Sequence, residues 1–224
     1  MEKLLSKEIA DQVKDLFTNL EQDVEILFFG EKEGCEYCAE VHQLVDEVAS
    51  LDDRLSLQAY DLEENSELAE TYRVSGSPTL VIAARDGDQL IDYGVRFLGA
   101  PAGHEFTTLI HDLLMVSKRR TELTDETRQF LKGLSEPMLL QVFVTPTCPY
   151  CPQAVFLAHQ MAMESEFVQA EMVESNEFRD LAEKFMVSGV PQTTINSGAD
   201  TVVGALPEQV MLERLQSVVA PINQ

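Results

Sequence analysis

The chain has no tryptophan, few basic residues and no long hydrophobic run. Its 224 residues include 39 acidic and 16 basic side chains, which gives a net charge of −23. This excess of negative charge argues against a nucleic-acid phosphate surface or an anionic lipid as partner. No segment approaches the roughly 18 consecutive apolar residues of a membrane span, and the N-terminus lacks the apolar core of a signal peptide. We therefore expect a cytoplasmic protein.

Cysteine is also scarce, and its placement is informative. The 4 cysteines form two Cys-x-x-Cys pairs, Cys35 with Cys38 and Cys148 with Cys151. In a reducing compartment, such pairs favour redox catalysis or metal binding over structural disulfides. Zinc is the main alternative, but zinc ribbons separate their two pairs by about 15 to 20 residues, whereas here most of a domain separates them. We expect no metal, and no cofactor beyond the redox-active disulfides.

Two features of the sequence repeat at one fixed offset. Cys148 follows Cys35 by 113 positions, and Pro191 follows Pro78 by the same 113 positions. Each proline is the last residue of a Ser-Gly-x-Pro segment, and the proline itself lies 43 positions after the first cysteine of its half. Chance does not place two such pairs in register, so the sequence contains an internal repeat.

The repeat predicts two tandem domains, residues 1–117 and 118–224. The chain length allows one large or two small domains, on a prior of roughly 100 to 200 residues each. Hydrophobic residues make up 45% and charged residues 25% of the chain, which is normal for globular domains that bury a core. The boundary is expected near the basic run Lys118–Arg120, which interrupts an acidic chain.

Hydrophobic spacing predicts the same order of elements, α-β-α-β-α-β-β-α, in each half. The apolar runs 24–29 and 138–144 are predicted to be buried strands directly before the two dithiols. Valines and a leucine at helical spacing over residues 41–48 predict a helix after the first dithiol. This pattern places Cys35 at the entrance of the helix and Cys38 one turn inside it.

A cysteine at a helix entrance gains free backbone amides and the positive end of the helix dipole, which together stabilise its thiolate. The second cysteine of each pair can then resolve a mixed disulfide within the chain. Cys35 and Cys148 are therefore the predicted nucleophiles, and Cys38 and Cys151 are the predicted resolving cysteines.

The two repeated prolines suggest a special peptide bond. Cis X-Pro bonds are rare, at roughly 5 to 6%, and the matched spacing from the dithiols favours them at Pro78 and Pro191. A cis bond would leave the backbone of Ser77 and Val190 exposed beside the cysteines, where a substrate segment could pair with it as a short strand. The predicted substrate-binding residues are Ser77, Pro78, Val190 and Pro191, together with Tyr37 and Tyr150 inside the dithiol motifs.

The four histidines are predicted to be structural or exposed. His42 and His159 each follow a dithiol on a predicted helix, and we expect surface imidazoles at both positions. His104 and His111 lie two helical turns apart, with no acidic or cysteine partner fixed by a motif.

The strand, the Cys-x-x-Cys helix and the later Ser-Gly-x-Pro turn resemble the thioredoxin fold, and the segment 148–151, Cys-Pro-Tyr-Cys, is similar to the glutaredoxin active site. Two such units with both dithiols kept resemble the protein disulfide oxidoreductases best known from thermophilic prokaryotes, also called glutaredoxin-like proteins. The resemblance implies an α/β fold of two tandem thioredoxin-fold domains, each with a central mixed β-sheet flanked by helices.

Residues 97–106, which contain a Gly-His-Glu-Phe sequence, resemble a segment of the N-terminal domain of the alkyl hydroperoxide reductase flavoprotein. That domain also has two thioredoxin units but keeps only its second dithiol, so the resemblance favours the second dithiol here for catalysis. One departure concerns the buried acid that thioredoxins usually carry six residues before the first cysteine. This chain has Phe29 and Val142 at those positions.

The leading hypothesis is a dithiol-disulfide oxidoreductase that reduces, forms or rearranges protein disulfides. One alternative is an electron carrier dedicated to a peroxiredoxin, and another is a non-catalytic module that binds clients. The chain has no Gly-x-Gly-x-x-Gly motif for binding NADPH or flavin itself. The expected electron donor is therefore a separate NADPH-dependent flavoprotein similar to thioredoxin reductase, and the expected acceptors are protein disulfides.

Overall fold

The computed structural model describes residues 3–219, and the predicted order of elements is confirmed in both halves. The first half contains α1 (Lys7–Phe17), β1 (Val24–Gly30), α2 (Cys38–Ala49), β2 (Leu55–Asp61), α3 (Ser66–Thr71), β3 (Thr79–Asp86), β4 (Gln89–Leu98) and α4 (Glu105–Lys118). The second half contains α5 (Asp125–Lys132), β5 (Met138–Val144), α6 (Cys151–Met163), β6 (Val168–Glu174), α7 (Arg179–Lys184), β7 (Gln192–Ile195), β8 (Asp200–Val203) and α8 (Glu208–Val219).

All the strands form one eight-stranded mixed sheet in the order β2-β1-β3-β4-β6-β5-β7-β8. The halves meet where β4 pairs in parallel with β6, with Val95 opposite Ala170 and Leu98 opposite Val173. Each half is therefore a four-stranded mixed sheet, as predicted. The two sheets are continuous because β4, an edge strand of the first half, pairs with β6, an edge strand of the second. The division at residues 117 and 118 stays a prediction.

The pairing directions bring both dithiols to the same edge of the sheet. Strand β1 is parallel to β2, β5 and β4 are parallel to β6, and the remaining pairs are antiparallel. The carboxyl ends of β1, β4, β5 and β6 consequently lie at one edge, and β3 and β7 begin there. The dithiols follow β1 and β5, whereas Pro78 and Pro191 precede β3 and β7.

The core has one large layer and two smaller clusters. Alternate side chains of a strand point to opposite faces, so Ile26 and Phe28 of β1 join the large cluster while Leu27 and Phe29 join a small one. The large cluster also contains buried residues of α1, α2, α4, α5, α6 and α8. Helices α3 and α7 cover the opposite face, each over its own small cluster. A strand that is buried on both faces is expected to be apolar throughout.

The helices at the two dithiols begin later than predicted. Cys38 and Cys151 are the first residues of α2 and α6, with Tyr37 and Tyr150 as their N-caps. The prediction that Cys38 lies one turn inside the helix is therefore wrong, and the predicted nucleophiles Cys35 and Cys148 lie before the helices. In the second half, a physical reason is the proline after Cys148, because a residue before proline is disfavoured in the helical conformation.

Two other helices begin with side-chain caps. The hydroxyl of Ser6 accepts a hydrogen bond from the backbone N–H of Ile9 at the start of α1, and Thr124 plays the same role for Thr127 at the start of α5. Such caps satisfy backbone donors that have no partner inside the helix. Across residues 3–219, no helix is long and apolar enough to cross a membrane.

Candidate redox site

Both cysteine pairs are closed as disulfides, as predicted from their spacing. Cys35 bonds to Cys38 and Cys148 bonds to Cys151, and the Cα atoms are 5.5 Å apart in each pair. The predicted resolving cysteine is the more buried of each pair: Cys151 is fully buried, whereas Cys148 is 7% exposed. Cys38 is buried and Cys35 is half-buried. An incoming thiol or disulfide therefore meets Cys35 or Cys148 first.

The end of β1 makes room for the first disulfide. Gly30 is the last residue of β1, and a Cβ added there would lie 2.6 Å from the ring of Phe28 and 3.3 Å from Sγ of Cys38. The Phe28 ring also makes an edge contact with the half-buried ring of His42, with centroids 5.2 Å apart. His42 therefore packs against the core with one side of its ring, whereas a surface imidazole was predicted at this position.

The bonds Ser77-Pro78 and Val190-Pro191 are both cis, which confirms that prediction. The backbone N–H of Gly99 donates to the Pro78 carbonyl at 2.9 Å, and Gly204 donates to the Pro191 carbonyl at 2.8 Å. Within residues 3–219, the backbones of Ser77 and Val190 make no hydrogen bond. We call residues 75–78 with Gly99 the first proline edge, and residues 188–191 with Gly204 the second proline edge.

The first proline edge is covered by the other half of the molecule. A Cβ added at Gly76 would lie 2.9 Å from the Phe178 ring. A Cβ added at Gly99 would lie 2.7 Å from Cβ of Glu174 and 3.1 Å from Oε2 of Glu177. Glu174 is the last residue of β6, and Glu177 and Phe178 belong to the turn between β6 and α7, so the second half fills the space above the first proline edge.

The second proline edge is open. A Cβ added at Gly189 or at Gly204 would meet no atom within 4 Å. Tyr150 in the adjacent dithiol turn is 68% exposed, whereas Tyr37, its counterpart at the first dithiol, is 36% exposed. The two dithiols therefore have the same backbone arrangement but differ in how accessible they are to a client protein.

Carboxylates concentrate around the first dithiol. Burial raises the pKa of Glu177 to about 7, and negative charge on Glu174, Glu40 and Glu36 adds to this effect. The backbone N–H of residue 100 donates to Oε1 of Glu177 at 2.9 Å, while its Oε2 is buried and unpartnered within the described residues. Negative charge, first from Glu36 and then from Glu177 and Glu174, likewise raises the pKa of Tyr37.

A different buried acid, Glu105, lies at the start of α4, which packs against the helix α6 that follows the second dithiol. The backbone N–H of His104 donates to the carbonyl of Pro146 at 3.0 Å, which joins the start of α4 to the turn before Cys148. Two turns further on, Asp112 of α4 contacts His159 of α6. Helices α4 and α6 therefore run side by side in the same direction, and Glu105 lies level with the first turn of α6, where Cys151 is.

Glu105 is only 1% exposed. Burial raises the pKa of its carboxyl to about 7, although a hydrogen bond from Thr108 favours the ionised form. No acid occupies the usual thioredoxin position in the sequence. Glu105 could not be predicted from the sequence around the second dithiol, because it belongs to the first half of the chain. The signal that could have identified it is the Gly-His-Glu-Phe segment.

His159 contradicts the prediction of a surface imidazole. The ring is fully buried, with Nδ1 2.6 Å from Oδ2 of Asp112 and Nε2 3.1 Å from the carbonyl oxygen of Arg96. A carbonyl can only accept, so Nε2 carries a proton and a second proton is shared between Nδ1 and Asp112. Burial raises the pKa of Asp112, while His159 opposes that shift. His104 and His111 are exposed, as expected.

In the part of the chain that the structure describes, no group of three or more histidine, cysteine, aspartate or glutamate side chains is arranged to hold a metal ion.

The second half, residues 138–217, matches the family model described as a thioredoxin domain. The chain is 27% identical over 214 residues to the alkyl hydroperoxide reductase protein AhpF of Staphylococcus aureus, covering 96% of this chain but 38% of that protein. The chain therefore spans well under half the length of this curated relative.

Solved structures match the whole fold. A protein disulfide oxidoreductase from Aeropyrum pernix superposes with a TM-score of 0.87 at 29% identity, over 95% of this chain and 92% of that one. The AhpF protein from Enterococcus faecalis gives a TM-score of 0.86 at 24% identity, over 95% and 100% of the two chains. This chain is thus a thioredoxin-fold protein with two Cys-x-x-Cys redox centres, and it closely matches a protein disulfide oxidoreductase in structure.

Proposed function

We propose that this protein is a dithiol-disulfide oxidoreductase that acts on protein disulfides, with Cys148 and Cys151 as its main centre and Cys35 and Cys38 as a second one. One observation carries the proposal. The second dithiol combines a disulfide at the start of a helix with an open proline edge, where the unpaired backbone of Val190 can bond to an extended client segment. The same proposal assigns client binding to Pro191 and Tyr150, and to Ser77, Pro78 and Tyr37 in the first half.

In the reductive direction, the Cys148 thiolate attacks one sulfur of a client disulfide. A mixed disulfide forms, and the other client sulfur leaves as a thiolate that takes up a proton. Cys151 then loses its proton and attacks Sγ of Cys148. The second client thiol is released, and the protein is left with the Cys148–Cys151 disulfide. The free backbone amides at the start of α6 favour the Cys148 thiolate, and we propose that the buried Glu105, on the neighbouring helix α4, takes the Cys151 proton.

The oxidised protein must then recover two electrons. We propose an NADPH-dependent flavoprotein similar to thioredoxin reductase as the donor, because the chain has no Gly-x-Gly-x-x-Gly motif of its own. The test of the main proposal is turnover of insulin disulfides with dithiothreitol. Wild type is expected to accelerate insulin reduction, and a variant with serine at all four cysteines is expected not to. If the two proteins behave alike, the chain is a client-binding module and not an enzyme.

A second candidate function is electron transfer to a peroxiredoxin. The similarity to AhpF of alkyl hydroperoxide reductase over 96% of this chain favours it. The test is a comparison of oxidised peroxiredoxin and insulin as acceptors for electrons from this protein. A dedicated carrier reduces an oxidised peroxiredoxin much faster than insulin, whereas a general oxidoreductase reduces both.

The proposal includes the absence of a bound metal or other cofactor. We expect four titratable thiols after reduction and none after mild oxidation, since three-residue spacing suits local disulfides. Elemental analysis of the purified protein checks this, and stoichiometric zinc would contradict it.

A further inference from the structure

A cleft lies between the two halves, on the face of the sheet that α3 and α7 cover. Its volume is 540 Å³, which is in the range of small-molecule sites, and such sites often lie between domains. Arg73 and Ser75, which follow α3, form one side of the cleft, and the other residues that line it belong to the second half. These include the first residues of β5, so the cleft extends toward the sheet edge opposite the dithiols.

The floor of the cleft is polar. Glu171 of β6 lies opposite Gln141 of β5 in the sheet, and Gln169 lies two residues before Glu171 and therefore on the same face. The three side chains are only 5% to 6% exposed. Nε2 of Gln141 donates to Oε2 of Glu171 at 2.8 Å, and Nε2 of Gln169 donates to Oε1 of Glu171 at 2.7 Å. We call these three residues the polar floor.

Gln169 has an acceptor atom without a partner. Its amide nitrogen is turned toward Glu171, and its Oε1 is buried with no hydrogen-bond partner within residues 3–219. Buried polar atoms are rarely left unpaired in native proteins, because the loss of their hydration is unfavourable. The last torsion of a glutamine side chain is soft, and Gln169 lines the cleft. A donor that enters the cleft can therefore reach this oxygen.

The internal repeat indicates that the fold itself does not require a polar floor. Gln141 is the fourth residue of β5, and the fourth residue of β1 is Leu27, which belongs to the apolar cluster under α3. Leu27 lies opposite Val81 in the sheet, whereas Gln141 lies opposite Thr194, whose hydroxyl is buried and also unpartnered within the described residues. The same backbone therefore accommodates apolar side chains in the first half, so the polar ones in the second half indicate a ligand.

The cleft has one charge of each sign. Of the described residues that line it, Arg73 and Glu171 are charged. Arg73 is exposed, and Asp92, a second carboxylate on which its charge acts, is already paired with Arg96. Burial raises the pKa of Glu171, and the hydrogen bonds from the two glutamines and the charge of Arg73 oppose that shift. The cleft thus presents oxygen acceptors on its floor and a positive charge at its side.

We propose that this cleft binds a free α-amino acid as a zwitterion, with its ammonium group on the polar floor and its carboxylate on Arg73. An ammonium has three donors and no acceptor, which suits a floor whose amide N–H groups already donate to Glu171. A guanidinium matches a carboxylate in charge and in shape. An amine without a carboxylate would meet the charge of Arg73 unpaired, and a carboxylate without an ammonium would meet Glu171. The inference does not depend on the proposed redox function.

The test uses the full chain and mixtures of the common L-amino acids. Saturation-transfer NMR identifies those that bind, and isothermal titration calorimetry measures the affinity of each. Two analogues of every binder are titrated beside it: the amine that lacks its carboxylate and the carboxylic acid that lacks its ammonium. We expect at least one amino acid to bind with one site per chain, and both analogues to bind about tenfold more weakly or worse, since each loses a charged hydrogen bond.

Three substitutions locate the site. Arg73→Gln, Glu171→Gln and Gln141→Leu are each expected to weaken binding by about tenfold or more, and the exposed Glu126→Gln is the control that leaves it unchanged. Gln141→Leu introduces the residue that the first half has at the matching position, so this variant is expected to fold, and its circular dichroism and denaturant midpoint check that it does. If no amino acid binds, the inference is wrong. Binding that survives both Arg73→Gln and Glu171→Gln, or an amine that binds as tightly as its amino acid, would also overturn it.

Discussion

The two dithiols of this chain have the same fold, the same cysteine spacing and the same cis proline, yet they lie in different surroundings. At the first, Glu174 at the end of β6 and Glu177 and Phe178 in the following turn cover the proline edge. At the second, the proline edge is open, and α4 of the other half places the buried Glu105 level with the start of the helix that carries Cys151. An internal repeat duplicates the backbone of a site, but contacts between the repeats determine which molecules can reach each copy of the site.

The difference follows from how the halves join. Pairing β4 with β6 places the carboxyl end of β6 next to that of β4, so the turn after β6 extends over Gly99. Within residues 3–219, β8 is the outermost strand of the sheet on the side of the second half, and no strand pairs with it there. The asymmetry is therefore built into the sheet order, and it makes four predictions that separate the two dithiols.

The largest expected effect concerns the two nucleophiles. We expect Cys148→Ser to abolish most insulin reductase activity and Cys35→Ser to leave a substantial fraction of it. The second proline edge is open to a client segment, and Glu36 adds negative charge beside Cys35, which disfavours its thiolate. The measurement is the rate of insulin reduction with dithiothreitol for the two variants at equal protein concentration. Equal losses would contradict the ranking of the two sites.

The second prediction concerns the buried acid at the second dithiol. The folded-state pKa of Glu105 is about 7, above its ordinary value of 4.5, so the folded protein keeps this group neutral where the unfolded chain ionises it. Its contribution to stability is complete below about pH 4.5 and is lost as pH rises through about 7. The loss is at most about 3 kcal/mol for a shift of this size.

Glu105→Gln is expected to remove this part of the pH dependence, so that the variant is more stable than wild type at pH 8 and similar at pH 4.5. Chemical denaturation at a series of pH values measures it. Asp112 and Glu171 also have pKa values raised by burial, so some pH dependence remains in both proteins. The exposed Glu126→Gln is the matched control. A wild-type and a Glu105→Gln curve that run parallel would contradict the assigned role of this carboxyl.

The sequence could predict the dithiols, the cis prolines and the order of elements, because each has a local signal. Cysteine spacing, a Ser-Gly-x-Pro segment and the period of apolar residues are all contained within one half. The repeat also strengthens every one of these predictions, since a pattern found at Cys35 can be checked at Cys148. Apolar periodicity alone places the start of the dithiol helices too early, and in the second half the reason is that it carries no information on how Pro149 restricts the residue before it.

Features that depend on contact between the halves could not be predicted. Glu177 and its repeat counterpart Glu64 are both acidic residues at matching positions, yet only Glu177 is placed against the other half. The periodicity of α6 does not say that His159 faces α4, where Asp112 lies two turns from Glu105. Such assignments require the β4–β6 pairing, and no local pattern in the sequence indicates that pairing.

The third prediction opens the first proline edge. In a C148S/C151S background, Phe178→Ala is expected to raise the rate of insulin reduction several-fold, because the ring above Gly76 is removed. The variant loses packing in the small cluster under α7, at a cost of about 2 kcal/mol for this half-buried ring. Leu181→Ala, in the same cluster, is the control for lost packing alone. If both variants leave insulin reduction unchanged, Phe178 does not limit access to the first dithiol.

The smallest effect compares Gly76 with its repeat counterpart Gly189. Neither has a positive φ, so alanine is sterically allowed in the backbone at both positions and lowers the entropy of the unfolded chain by a similar amount. At Gly189 the new methyl meets nothing within 4 Å, whereas at Gly76 it meets the Phe178 ring at 2.9 Å. We expect Gly189→Ala to be neutral or stabilising by about 0.5 kcal/mol and Gly76→Ala to be destabilising by about 1 kcal/mol. Denaturant midpoints of the two variants measure the difference. Equal midpoints would mean that the Phe178 ring moves away from Gly76 with no loss of stability, and that the side chains over the first dithiol are not tightly packed.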